Sequence, residues 1–144
     1  MPEKETIERA RRDKRQGKSA STQAGEFVRE EIHHVREGKH GARSAKQAIA
    51  IGLSKARRAG VKLGTPKNAS ESTKRSARSA SAHVGQTPSR TRSRATRNAL
   101  KRESRSSASH EALGNQARAS ARRRGAAARH RSAEKAVRTR QRHG

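Results

Sequence analysis

Large apolar side chains nearly stop at Leu63. Ile7, Phe27, Val28, Ile32, Val35, Ile49, Ile51, Leu53, Val61 and Leu63 precede residue 64, and only Val84, Leu100, Leu113 and Val137 follow it. Ordering a residue costs roughly 1–2 kcal/mol of backbone entropy, so a chain packs only where it has apolar surface to bury. Charge divides at the same place. Residues 1–64 carry 16 Lys/Arg against 8 Asp/Glu, whereas residues 65–144 carry 21 Lys/Arg against four acids, Glu71, Glu103, Glu111 and Glu134. We therefore read 1–64 as a small helical region and 65–144 as a Ser/Ala/Arg-rich basic low-complexity tail, with the boundary near Gly64-Thr65-Pro66.

Within the first region the apolar period is helical, and the expected fold class is all-α. Residues 3–16 read as a solvated helix with Ile7 as its one strong apolar anchor and Glu5–Arg9 and Glu8–Arg12 as i,i+4 pairs. Residues 22–37 form a better helix, capped by Ser21 or Thr22 and ended by Gly38. Its Ala24, Phe27, Val28, Ile32 and Val35 share an arc of about 140° at about 100° per residue. Glu31 falls inside that arc, so either a base from a neighbouring element pairs with it or the face is half buried. Residues 45–59 form the clearest helix. Ser44-Ala45-Lys46-Gln47 is a capping box, and Gly60 with Val61 makes a Schellman ending on Ala56. The stripe Ala45, Ala48, Ile49, Gly52, Leu53, Ala56 is small enough for another helix to approach closely. The two helices, 22–37 and 45–59, make a short helical hairpin with a small core, and its Phe27/Ile32/Leu53 face also suits a homodimer.

The tail is expected to be largely disordered or transiently helical. Low hydrophobicity with high net charge leaves little to bury, yet Ala and Arg favour helix. Segments near 66–82, 88–102 and 108–137 are the transient helices, with Thr65-Pro66 and Thr87-Pro88 as starts. None has a sustained apolar stripe.

The run Ser21-Thr22-Gln23-Ala24-Gly25-Glu26-Phe27-Val28-Arg29-Glu30-Glu31-Ile32-His33-His34, with Lys46-Gln47-Ala48-Ile49-Ala50-Ile51-Gly52-Leu53-Ser54-Lys55-Ala56-Arg57-Arg58-Ala59-Gly60, resembles a family of small basic bacterial proteins of unknown function. The resemblance covers residues 1–64 and implies a bacterial cytoplasmic protein. It implies no activity, cofactor or functional residue. The tail is similar to histone-like and linker-histone tails in composition alone.

Function is expected to follow the charge. Arg43, Lys46, Lys55, Arg57, Arg58 and Lys62 project opposite the small-residue stripe, and no acid occurs from Ala42 to Ser70. Such a face suits phosphate. Arg122, Arg123 and Arg124, then Arg138, Arg140 and Arg142, are dense clusters in the tail. Arg90 ends Thr87-Pro88-Ser89-Arg90, which resembles minor-groove-binding turns of linker-histone tails. Phosphate contacts position a protein without reading sequence. One Phe, with no Trp or Tyr, gives no stacking platform for single strands. Duplex DNA is the expected partner, structured RNA or the ribosome the alternative. A protein-interaction module with a solubilising tail is the third reading. A helix-turn-helix is disfavoured by a connection longer than the usual 3–4 residues.

Enzymatic activity is not expected, since this composition is a poor source of a dry, preorganised site. Cysteine is absent, which removes thiolate chemistry. Glu30-x-x-His33 and Glu31-x-x-His34 have metal-ligand spacing, but that chemistry draws on several facing helices and one is visible, so no metal or cofactor is expected. No stretch approaches the roughly 18 apolar residues of a membrane span. With no secretory pattern at its start, the chain is expected in the cytoplasm, at the nucleoid.

Overall fold

The computed structural model describes residues 2–86 and 89–143, and these are all-α. Helices α1 (Lys4–Arg15), α2 (Ala20–Arg36), α3 (Ala45–Arg58), α4 (Glu71–Ala82) and α5 (Arg90–Lys101) are followed by a 3-10 turn, Ser106–Ala108, and by α6 (His110–His143). The chain forms two compact units, Met1–Ser109 and His110–Gly144.

Helix starts and stops follow local chemistry. Ser44 caps α3 by accepting the Gln47 N–H at 3.1 Å. The Gln47 amide reaches back as a capping box requires, although it takes the Arg43 N–H rather than that of Ser44. At the other end Gly60 adopts φ +99°, its N–H meets Arg57 O, and the Val61 N–H meets Ala56 O at 3.0 Å. That is the expected Schellman ending. Helix α2 starts earlier than expected. Its cap is Ser19, whose Oγ accepts the Thr22 N–H, because the same kind of turn closes α1 at Lys18 and delivers Ser19 at once.

The helical hairpin of α2 and α3 forms, and the small stripe is what brings it together. A Cβ on Gly52 would lie 2.6 Å from Val28 Cα, so the backbones meet there with no side chain between them. Phe27 is 1% exposed, in a core with Ala10, Ala24 and Ala56, flanked by Ile7, Leu53, Val61 and Leu63. Phe27 and Ile32, two members of the face expected to suit a homodimer, are buried within the chain.

Helix α1 is docked rather than solvated. Thr6, Ala10 and Asp13, spaced i, i+4, i+7, are buried against α2. Thr6 and Ala10 are too short to read as an apolar stripe, yet they let the helix sit close.

In residues 65–109, α4 and α5 fall within the segments 66–82 and 88–102 expected to be transiently helical. Among the described residues disorder is not evident, however, and part of the region is packed on the first three helices. Helix α4 packs on α3 through Ala77 and Ala80, and Gly85 N–H meets Arg58 O at 2.9 Å. The 100–108 segment docks on the end of α2 and the 38–43 loop: Gly41 N–H donates to Leu100 O, Ala42 N–H to Ser104 O, and Arg36 Nε of α2 to Ala108 O. A Cβ on Gly41 would fall 1.9 Å from Glu103 O, so only glycine admits this approach. Composition changes at residue 64, but packing continues to Ser109. In the second unit, α6 is broken at Gly125 (φ 79°, ψ 165°), where a single run near 108–137 was expected. Thr87 and Pro88 lie outside the described residues, and α5 is capped by Ser89.

Candidate functional site

Acids and ion pairs are concentrated on α1–α3 and their flanks, where a few bases are drawn inward by carboxylates. The Glu31 carboxylate is fully buried on α2 and is bound by the Lys55 ammonium from α3. This resolves the question its position raised: a neighbouring base pairs with it. His40 Nε2 stands 3.2 Å from Glu31 Oε2, and His34 Nδ1 3.8 Å from Oε1. Glu30, also buried, accepts the Glu3 backbone N–H. Arg9 bridges Glu26 at 2.8 Å and the expected partner Glu5 at 3.2 Å. Lys18 meets Asp13 at 3.1 Å.

These pairings move the ionisation of the groups involved. The His34 hydrogen bond holds the Glu3 carboxyl below its ordinary range. The hydrogen bond to Glu26 holds Arg9 above its own. Partial desolvation pulls Lys39 down, but Glu37 and Glu3 outweigh it and keep it raised. Burial alone lowers Arg57.

The six bases expected to form one face around α3 therefore separate. Arg43, Lys46 and Lys62 are exposed and Arg58 is half-buried. Lys55 is turned to Glu31. Arg57 is buried, donating to Gly64 O at 2.9 Å, with its Nε unpartnered. Lys55 and Arg57 are structural cations. Angular position on a helical wheel cannot distinguish a solvated base from one drawn inward by a buried acid or a carbonyl.

Exposed bases outside ion pairs also occur on α1 and around α3, but α5 and α6 align theirs in stripes. Arg90, Arg94, Arg97 and Lys101 of α5 recur at i, i+4, i+7, i+11, within about 60° of one another. At about 1.5 Å per residue they mark a stripe roughly 16 Å long. All four are exposed, and α5 contains no acid. Among the described residues α5 packs on no other helix. It is held at its C-terminal end, where Leu100 O receives the Gly41 N–H. Beyond the break at Gly125, Arg131, Lys135, Arg138 and Arg142 of α6 repeat that spacing, again exposed. Arg122, Arg123 and Arg124 are exposed before the break, and Arg140 projects opposite the second stripe. Among the described residues the ion pairs in this half of the chain are Lys74–Glu71 and His130–Glu134, and neither involves a stripe residue. Arg90, Arg138 and Arg142 stand out in the sequence as members of local clusters. The stripes do not, although their period is readable once helices are assigned.

Residues 11–68 match the model of a family of unknown function, DUF6496. This is the resemblance expected from the α2 and α3 segments. The DUF6496 match takes in Glu30, Glu31, His34, His40, Lys55 and Arg57, and it ends before α4. Both basic stripes lie outside it. No curated protein and no solved structure matches the chain significantly. Among the described residues no helix is long and apolar enough to cross a membrane.

Proposed function

We propose that this protein is a non-catalytic nucleic-acid-binding protein that grips duplex DNA by its phosphate backbone, with little sequence preference. The observation that carries the reading is the acid-free stripe Arg90, Arg94, Arg97, Lys101 on a helix that no other helix covers among the described residues. Exposed bases are ordinarily interspersed with acids; α5 has none, and among the described residues no ion pair involves the four stripe bases. Duplex DNA presents one charge per roughly 1.7 Å of axis, so a stripe of this length lies along several phosphates. The stripe on α6 supplies a second surface of the same kind.

Base stacking is not part of this mode, because Phe27 is in the core. Guanidinium contacts to phosphate fix position and orientation, not sequence. Such a protein compacts or shields DNA.

The test is a titration of the full chain with a fluorescent duplex of random sequence, at low and at moderate salt. Retention at low salt, steep loss with added salt and equal displacement by unrelated duplexes are expected. Absence of binding at low salt, or an affinity that salt leaves unchanged, overturns the proposal. An RNA duplex that displaces the DNA at far lower concentration moves the assignment to structured RNA.

A further inference from the structure

Three side chains at the junction of α2 and the 38–43 loop meet acceptor to acceptor. His40 Nδ1 lies 2.8 Å from Gly41 O. A carbonyl oxygen only accepts, so Nδ1 carries the proton. His34 Nε2 lies 3.1 Å from Glu3 Oε1. An ionised carboxylate also only accepts, so in the neutral ring that nitrogen carries the proton. The remaining nitrogens, His34 Nδ1 and His40 Nε2, stand against Glu31 at 3.8 and 3.2 Å. Glu31 is fully buried, and its Oε2 has no hydrogen-bond partner. Lys55 serves Oε1 and leaves Oε2 unmet. The His40 lone pair against this unmet, buried Oε2 costs free energy unless a cation lies between them, and Lys55 reaches only Oε1.

The geometry points to a divalent transition-metal site of the zinc class, with Glu31, His34 and His40 as its ligands. Their donor atoms all lie within 4.8 Å of one another. Zinc bonds of about 2.0–2.2 Å at tetrahedral angles place neighbouring donors roughly 3.3 Å apart, close to the 3.2 Å between His40 Nε2 and Glu31 Oε2. Two imidazoles with one carboxylate suit zinc-class ions, whereas magnesium and calcium take oxygen donors. Both rings are already held as metal-ligating histidines usually are, by a backbone carbonyl and a carboxylate on the far nitrogen. Glu3, Glu30 and His34 form a second group, but it depends on the exposed Glu3, and the unmet buried oxygen that faces a ring nitrogen is on the Glu31 side. Water completes the coordination. The ion ties α2 to the 38–43 loop, on which the 100–108 segment docks, and so staples a unit whose core is small. This inference does not depend on nucleic-acid binding.

The test uses the full chain, stripped with a chelator and titrated calorimetrically with zinc chloride at neutral pH. One equivalent binds saturably and raises the thermal midpoint, magnesium chloride does neither, and cobalt(II) acquires the visible absorption of a tetrahedral ion. His40→Ala, with helical content first checked by circular dichroism, weakens zinc binding at least ten-fold. His33→Ala, at an exposed position on the same helix as His34, leaves it unchanged. Absence of saturable one-to-one binding to the wild-type chain overturns the proposal. A zinc affinity that His34→Ala and His40→Ala both leave unchanged also overturns it.

Discussion

The Lys55 ammonium on α3 is the counter-ion of the fully buried Glu31 on α2. One of these residues interrupts an apolar arc, and the other belongs, on a helical wheel, to a phosphate-binding face. Their pairing removes both anomalies and ties the hairpin at a polar point.

Removing one partner of a buried pair leaves an uncompensated charge, which costs about 3–5 kcal/mol. Lys55→Met is therefore expected to lower unfolding stability by about that much in urea titrations. In protein stripped of metal with a chelator, Glu31→Gln combined with Lys55→Met is expected to recover most of that deficit, since neither position then carries a buried charge.

Gly52 and Val28 set the separation of α2 and α3. Alanine at 52 gains about 1 kcal/mol in helix propensity, but its Cβ meets the Val28 backbone at 2.6–2.9 Å. Backbone atoms cannot swing aside, and such overpacking costs typically about 1–3 kcal/mol. Gly52→Ala is expected to destabilise the chain, with a lower thermal midpoint as the readout.

The hairpin was legible because each of its signals was local. Ser44 with Gln47, Gly60 with Val61 and the small stripe lie within one helix and its caps, and each behaves as its chemistry demands. Docking of α1 and of residues 65–109 was not legible, because it rests on Thr6, Ala10, Ala77 and Ala80, residues too small to mark an apolar face. The 100–108 segment is held by backbone hydrogen bonds to Gly41 and Ala42, which leave no trace in side-chain pattern. The site residues divided in the same way. Arg90, Arg122, Arg123, Arg124, Arg138, Arg140 and Arg142 are exposed as the tail's composition suggested. Lys55 and Arg57 were misplaced because their partners, Glu31 and Gly64 O, are 24 and 7 residues away in the chain.

Gly41 is the hinge pin of the docked 100–108 segment. Gly41→Ala places a methyl group too close to Glu103 O for the two to coexist and is expected to release the segment. Limited trypsin digestion should then cut after Arg102 and Arg105 much faster than in the wild type, with the helices of the hairpin still protected. Equal cutting rates would show that the segment is not held there.

The break in α6 is a backbone property of one residue. At φ 79° and ψ 165° Gly125 occupies a region that side chains resist. Gly125→Ala has no steric neighbour to oppose it and is expected to favour helix through the break, seen as a gain in far-ultraviolet helical signal.

Free bases, not total charge, are what the proposed DNA binding rests on. The direct measurement is the slope of log affinity for duplex DNA against log salt, compared between two variants. Neutralising Arg90, Arg94, Arg97 and Lys101 to Gln should reduce the slope by up to about 3–4, at about 0.9 for each phosphate no longer neutralised. Lys39→Gln removes a base already shared between Glu3 and Glu37 and should leave the slope unchanged. A four-fold variant with the wild-type slope, or a Lys39 variant whose slope falls as much per charge as that of the stripe variant, would contradict the proposal.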